Sequence, residues 1–164
     1  MSQTSMLGAH LDALDTTYEI VEIDPAYSDT AQCCEKYGFT LEQSLNCIIV
    51  AAKTEPRTYA ACLVQATRRL DVNGTVRRLL GARKVSFATA DETTELTGMA
   101  PGGVTPFGLP PQVPIYLDAA SMTIGNAVLG GGSRDQKVIL PVSALGRLPG
   151  AVVVEDLSKA IPTE

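Results

Sequence analysis

Gly98, Gly102, Gly103 and Gly108 alternate with Pro101, Pro106 and Pro110 across thirteen consecutive residues. Proline fixes φ and removes an N–H donor, while glycine adopts conformations other residues avoid. This stretch is therefore neither a helix nor a central strand. It reads as a shaped loop whose exposed backbone amides suit an anionic or polar ligand. Upstream, Lys53 ends the apolar run Ile48–Ala52. A strand-end ammonium and an amide-lined loop are the two features on which a functional reading rests.

The chain has 164 residues, 45% apolar and 19% charged, which fits one globular domain, residues 1–164, with a sizeable core. No apolar run approaches the roughly 20 residues needed to cross a bilayer. Met1–Ser5 lacks a basic segment leading into an apolar one, so a cytoplasmic location is expected, with no membrane partner. Cys33, Cys34, Cys47 and Cys62 form no C-x-x-C pair and read as reduced, mostly buried thiols. With a single histidine, His10, neither a metal site nor a cofactor is expected.

Net charge is −5, which argues against a general nucleic-acid binder. Its distribution is uneven: −7 over residues 1–52, +6 over 53–90 and −4 over 91–164. The basic block could meet phosphates locally, or Arg77 and Arg78 could simply form the solvated face of a helix.

Leu7, Leu11 and Leu14 share one helical face, predicting a short helix over 6–14. Tyr18–Ile23 alternates as a strand. Ser28 or Asp29 would cap a helix ending at Gly38. Strands at 46–52 and 59–65 are too closely connected for a crossover helix, so they pair antiparallel. Asp71 or Asn73 would cap a helix over 75–80, and Asp91 one over 92–96. Short strands follow at 85–88, 113–117, 127–129, 137–140 and 152–154, with a helix from Pro141 to Leu148. The expected fold is α/β (α+β): a mixed, mostly antiparallel, partly barrel-like sheet with flanking helices.

Standard hydrolytic machinery is missing. There is no G-x-S-x-G elbow and no Walker A loop, and Gly130–Gly132 does not open a dinucleotide-binding helix. His10 reads as a surface or capping group, Asp118 as the cap of the turn after its strand, and Phe107 as core.

Lys53-Thr54, Leu96-Thr97-Gly98, the run from Pro101 to Gly108, Leu117-Asp118, Gly130–Ser133 and Leu140–Leu145 occur in a telling order. In that order they resemble YbaK/ProX-type proteins. These are free-standing aminoacyl-tRNA deacylases related to the editing insertion domain of bacterial prolyl-tRNA synthetases. Gly102 to Pro106 matches the family's G-x-x-x-P signature, and the resemblance covers nearly the whole chain.

The resemblance implies an ester hydrolase that removes a small amino acid (Cys, Ala, Ser or Thr) from mischarged tRNA, such as tRNA-Pro, in trans. It implies Lys53 as the catalytic lysine. It implies substrate contacts at Gly102, Gly103, Thr105, Pro106 and Gly108, and at Gly131, Gly132 and Ser133. Expected partners are the 3′ end of aminoacyl-tRNA and a synthetase, with the protein a monomer or weak dimer. Some family members carry a histidine near the glycine turn for alanine recognition, and this chain has none there. A non-catalytic adaptor binding aminoacyl-tRNA or a small ligand is the alternative.

Overall fold

The computed structural model describes residues 3–27, 30–99 and 103–160. Its elements in chain order are α1 (Gln3–Asp12), β1 (Glu19–Glu22), α2 (Thr30–Tyr37), β2 (Leu45–Ala52) and β3 (Thr58–Gln65). They continue with β4 (Arg68–Leu70), α3 (Arg77–Leu80), β5 (Val85–Phe87), α4 (Ala90–Thr97) and β6 (Ile115–Asp118). The last four are β7 (Asn126–Gly130), β8 (Gln136–Pro141), β9 (Ala151–Val154) and β10 (Ser158–Ala160).

β2 and β3 are the spine. Their apolar runs pair antiparallel over eight residues, from Leu45 opposite Gln65 to Ala52 opposite Thr58. The sheet extends to the order β5-β2-β3-β6-β9, with β6 and β9 joining parallel. Successive side chains of a strand point to opposite faces. Leu45, Ile49, Ala61 and Leu63 accordingly enter one core, and Val50, Ala52, Ala60, Cys62 and Val64 the other. A sheet covered on both faces requires near-continuous apolar strands, which is why 45–52 and 59–64 carry little polar alternation. An antiparallel sheet β1-β8-β7 closes the first core, and the small pair β10-β4 closes the second. The result is the expected mixed, mostly antiparallel architecture with few helices, divided among three open sheets.

α1 is tied down by its apolar face. Leu7, Leu11 and Leu14 are all buried in the first core. Burying a leucine contributes roughly 1.5–3 kcal/mol, so three of them dock a helix too short to persist alone. Arg147 donates to the carbonyls of Leu14 and Asp15 (2.8 and 3.1 Å), and Tyr18 donates to Asp12 (2.7 Å), fixing the exit from the helix.

Several local expectations are corrected. α4 is capped by Thr89, not Asp91. The Thr89 side chain accepts from the Glu92 N–H, and the Glu92 carboxylate accepts from the Thr89 N–H, a reciprocal capping box. That backbone bond is the main influence holding the Glu92 carboxyl below its ordinary value, with the Arg57 guanidinium at 2.9 Å assisting. Residues 72–76 form a π turn capped by Asp71, and α3 occupies only 77–80. The helix expected after Pro141 is a 3₁₀ segment, Val142–Arg147. β4 and β10, unforeseen in the sequence, pair antiparallel. The caps expected at Ser28 or Asp29 lie outside the described residues.

Asp118 does cap the turn after β6, accepting from the Ala120 N–H at 3.3 Å. It is also fully buried, accepts from the Ser158 hydroxyl, and lies 4.0 Å from the Arg68 guanidinium. Arg68 in turn donates to the Ser158 hydroxyl (2.7 Å) and carbonyl (3.1 Å). This cluster ties β6 to the β4–β10 pair.

Candidate functional site

The glycine-proline loop and the glycine turn meet. The Gly132 N–H donates to the Gly103 carbonyl at 2.6 Å, joining two segments almost thirty residues apart. Both strands of this contact need glycine for space. A Cβ on Gly103 would lie 2.5 Å from the Ser133 carbonyl, and one on Gly130 would lie 2.8 Å from the Val104 oxygen. Real Cβ atoms do not approach backbone so closely.

Behind this seam lies a cavity of about 300 Å³, lined by Leu7, His10, Thr97, Gly98, Met99, Thr105, Phe107, Gly108, Gly131 and Gly132. That is the lower end of the roughly 300–1,000 Å³ usual for small-molecule sites. The C-terminal end of α4 builds one side. Gly98 ends the helix in a left-handed conformation (φ 71°). The Thr97 hydroxyl then donates to the Thr93 carbonyl (2.7 Å) and accepts from the Met99 N–H (3.1 Å). This turns Met99 inward, where its sulfur accepts from the Thr105 N–H at 3.4 Å.

The hydrogen-bonding groups around the cavity are largely engaged already. The N–H groups of Thr105, Gly131 and Gly132 are paired with Met99, the Gln136 carbonyl and the Gly103 carbonyl. The glycines of the turn therefore shape the wall without offering free amides. Thr105 Oγ1 stands apart: the residue is 2% exposed, yet this oxygen has no hydrogen-bond partner. An orphaned buried hydroxyl costs about 1–3 kcal/mol. Thr105 is also a wall residue of the cavity, which puts this oxygen close to any group seated there.

Of the sequence-predicted residues, Thr105, Gly108, Gly131 and Gly132 line this cavity, and Gly103 forms the seam behind it. Gly102 lies outside the described residues. Pro106 lines a second cavity of about 290 Å³ on the other side of His10 and Gly108. The Ser133 hydroxyl is taken up by Asp135 at 2.5 Å. Lys53 is exposed at the end of β2, its N–H bonded to the Lys84 carbonyl at 2.9 Å, and it is not among the residues lining either cavity. Phe107 is both core and cavity wall. His10 is the residue sequence reasoning missed. It comes from a helix about a hundred residues away in sequence, and no local pattern links it to the loop.

None of the four cysteines lines either cavity. Burial pushes the Cys47 thiol up to about 12 and raises Cys62 and Cys33 as well, although the Lys137 charge opposes it at Cys33. Among the described residues, no group of histidines, cysteines and carboxylates is placed to hold a metal, and no helix is long and apolar enough to cross a membrane.

The chain is similar to known proteins in both sequence and structure. Two proline–tRNA ligases are similar in sequence. The Bacillus licheniformis protein is 40% identical over 60 residues, which is 37% of this chain and 10% of the ligase. The Bacillus pumilus protein is 28% identical over 144 residues, 82% of this chain and 25% of the ligase. The chain thus spans a quarter or less of either relative. In structure it is similar to a protein proposed as a trans-editing enzyme for prolyl tRNA synthetase, with TM-score 0.82, 23% identity and coverage of 98% and 99% of the two chains. A hypothetical protein superposes equally well, with TM-score 0.82, 24% identity and coverage of 96% and 100%. The aminoacyl-tRNA editing domain matches residues 24–148. This chain belongs to the aminoacyl-tRNA editing domain family.

Proposed function

We propose that this protein hydrolyses mischarged aminoacyl-tRNA in trans, removing a small amino acid such as Cys, Ala, Ser or Thr from tRNA-Pro or a related tRNA. The observation that carries this reading is a 300 Å³ cavity with apolar walls at Leu7, Met99 and Phe107, together with Thr105, a wall residue whose buried hydroxyl has no partner. A cavity of that size takes an aminoacyl group and excludes large side chains. An aminoacyl ester is already activated, so positioning supplies much of the required catalysis. The neighbouring ribose hydroxyl helps orient the attacking water. Thr105 supplies a hydrogen bond to the aminoacyl group. Discrimination by one methylene in such a pocket is limited to about 1–3 kcal/mol.

In this reading Lys53 serves the RNA. Its backbone adjoins that of Lys84 and both residues are exposed, which brings two cationic residues to one edge of the sheet beside Arg83. Lys53→Ala is expected to lower kcat/KM about tenfold through KM and to reduce the salt slope of tRNA binding by about 1. Unchanged kinetics and salt dependence would remove Lys53 from the site.

The direct test is a panel of Ala-, Ser-, Cys-, Thr- and Pro-tRNA incubated with the purified protein, with and without uncharged tRNA as competitor. The expected result is hydrolysis of one or more small-residue esters, inhibited by the competitor. Binding without turnover would favour an adaptor, and hydrolysis indifferent to uncharged tRNA would indicate a small-ester hydrolase.

A further inference from the structure

His10 is the one titratable side chain among the described residues lining the 300 Å³ cavity. It also lines the second cavity, where Pro106 and Arg147 lie. With Gly108 it forms the wall the two spaces share. The contact with Gly108 is close: a Cβ there would sit 3.0 Å from His10 Nε2, and φ at Gly108 is 84°. The left-handed φ at Gly108 favours glycine, and the imidazole lies over it. No hydrogen bond or ion pair engages His10 among the described residues, so its ring nitrogens are available to a ligand. The helix bearing it is held firmly by Leu7, Leu11 and Leu14. α1 precedes the region matched by the editing domain, residues 24–148.

We propose that His10 is a catalytic residue of the deacylation. The inference rests on reading the cavity as the seat of the aminoacyl ester. A ring nitrogen of His10 accepts a proton from water as the water oxygen bonds to the ester carbonyl carbon. The tetrahedral intermediate then collapses, the bond from carbon to the ribose oxygen breaks, and His10 returns the proton to that oxygen. The products are the free amino acid and tRNA with its terminal hydroxyl restored. No oxidant, metal or further reactant is needed. The placement suits the role, because a group between two cavities can face the ester while the amino acid and the terminal nucleoside occupy the spaces on either side. A positioned general base typically contributes 10²–10⁴-fold.

The test compares wild type, His10→Ala and His10→Gln on whichever aminoacyl-tRNA the wild type hydrolyses, with thermal unfolding of each. His10→Gln keeps a hydrogen-bonding group but cannot take the proton. Both variants are expected to lose about 100-fold or more in kcat with KM within about threefold of wild type. Added imidazole is expected to restore His10→Ala at least tenfold and leave His10→Gln unchanged. Wild-type kcat in either variant overturns the proposal. So does a loss confined to KM, or one that accompanies a lowered unfolding temperature without imidazole rescue. An inactive wild type overturns the deacylase reading itself, whereas an active wild type with active variants overturns only the role of His10.

Discussion

Gly103→Ala is expected to abolish deacylation, with a loss of about 100-fold or more, and to lower stability by about 1–3 kcal/mol. The added methyl would lie 2.5 Å from both the carbonyl carbon and oxygen of Ser133. Those atoms cannot simply withdraw. The Gly132 N–H holds the Gly103 carbonyl at 2.6 Å, and the Gly131 N–H holds the Gln136 carbonyl across the β7–β8 hairpin. Forcing extra volume into a packed contact typically costs 1–3 kcal/mol. Opening the seam moves Thr105 and the glycine turn apart, and misplacement by about 1 Å can cost 10²-fold in rate. Gly146→Ala is the control. Nothing lies within 4 Å of its Cβ position, so stability should stay within about 0.5 kcal/mol of wild type and activity should be unchanged. Kinetics and thermal unfolding of the two variants decide whether the seam has the rigidity assigned to it.

Asp118→Ala is expected to produce the largest loss of stability, about 3–5 kcal/mol, with activity per folded molecule preserved. Removing one partner from a buried charged cluster strands the others. Here the stranded groups are the Ser158 hydroxyl proton and the Ala120 N–H, while Arg68 loses its counter-charge but keeps its hydrogen bonds to Ser158. The Arg68 contact is the weakest, at 4.0 Å and partly open to solvent, so most of the loss comes from the buried hydrogen bonds. Asp118→Asn keeps an acceptor for Ala120 and should lose less. At roughly 2–4 °C per kcal/mol for a chain of this size, the alanine variant should melt about 6–20 °C lower. A shift under 2 °C would mean that the cluster does not hold β6 to the β4–β10 pair.

The parts of the fold legible in the sequence are those whose signal is local. β2 and β3 announce themselves as apolar runs joined by a short turn, and their antiparallel pairing follows from the connection. The Gly98–Pro110 loop is equally plain, because proline and glycine exclude the regular alternatives. β4 and β10 were hidden because Arg68-Arg69 and Ser158-Lys159 look like solvated surface. They pair through their backbones far apart in sequence, and Asp118, distant from both, ties them to β6. The capping box at Thr89 and Glu92 was present as a Thr-x-x-Glu pattern and was obscured by the acidic Asp91 beside it. The cavity was half legible. The loop and glycine turn could be named, but the steric need at Gly103 and Gly130 exists only once two distant backbones touch. His10 enters through the packing of α1, and a leucine spacing says where a helix is buried without saying which loop it will meet.

Thr105→Val bears most directly on the claim that this cavity holds the aminoacyl ester. The substitution nearly conserves volume and deletes a hydroxyl that is 2% exposed and unpartnered in the free protein. A residue with only a structural role would lose nothing by the change. The expected result is an unfolding temperature equal to or above that of wild type, because a buried polar group without a partner has been removed. The deacylation rate on the preferred small-residue ester should meanwhile fall about tenfold or more. A wild-type rate in Thr105→Val would contradict the account and place the chemistry elsewhere on the molecule.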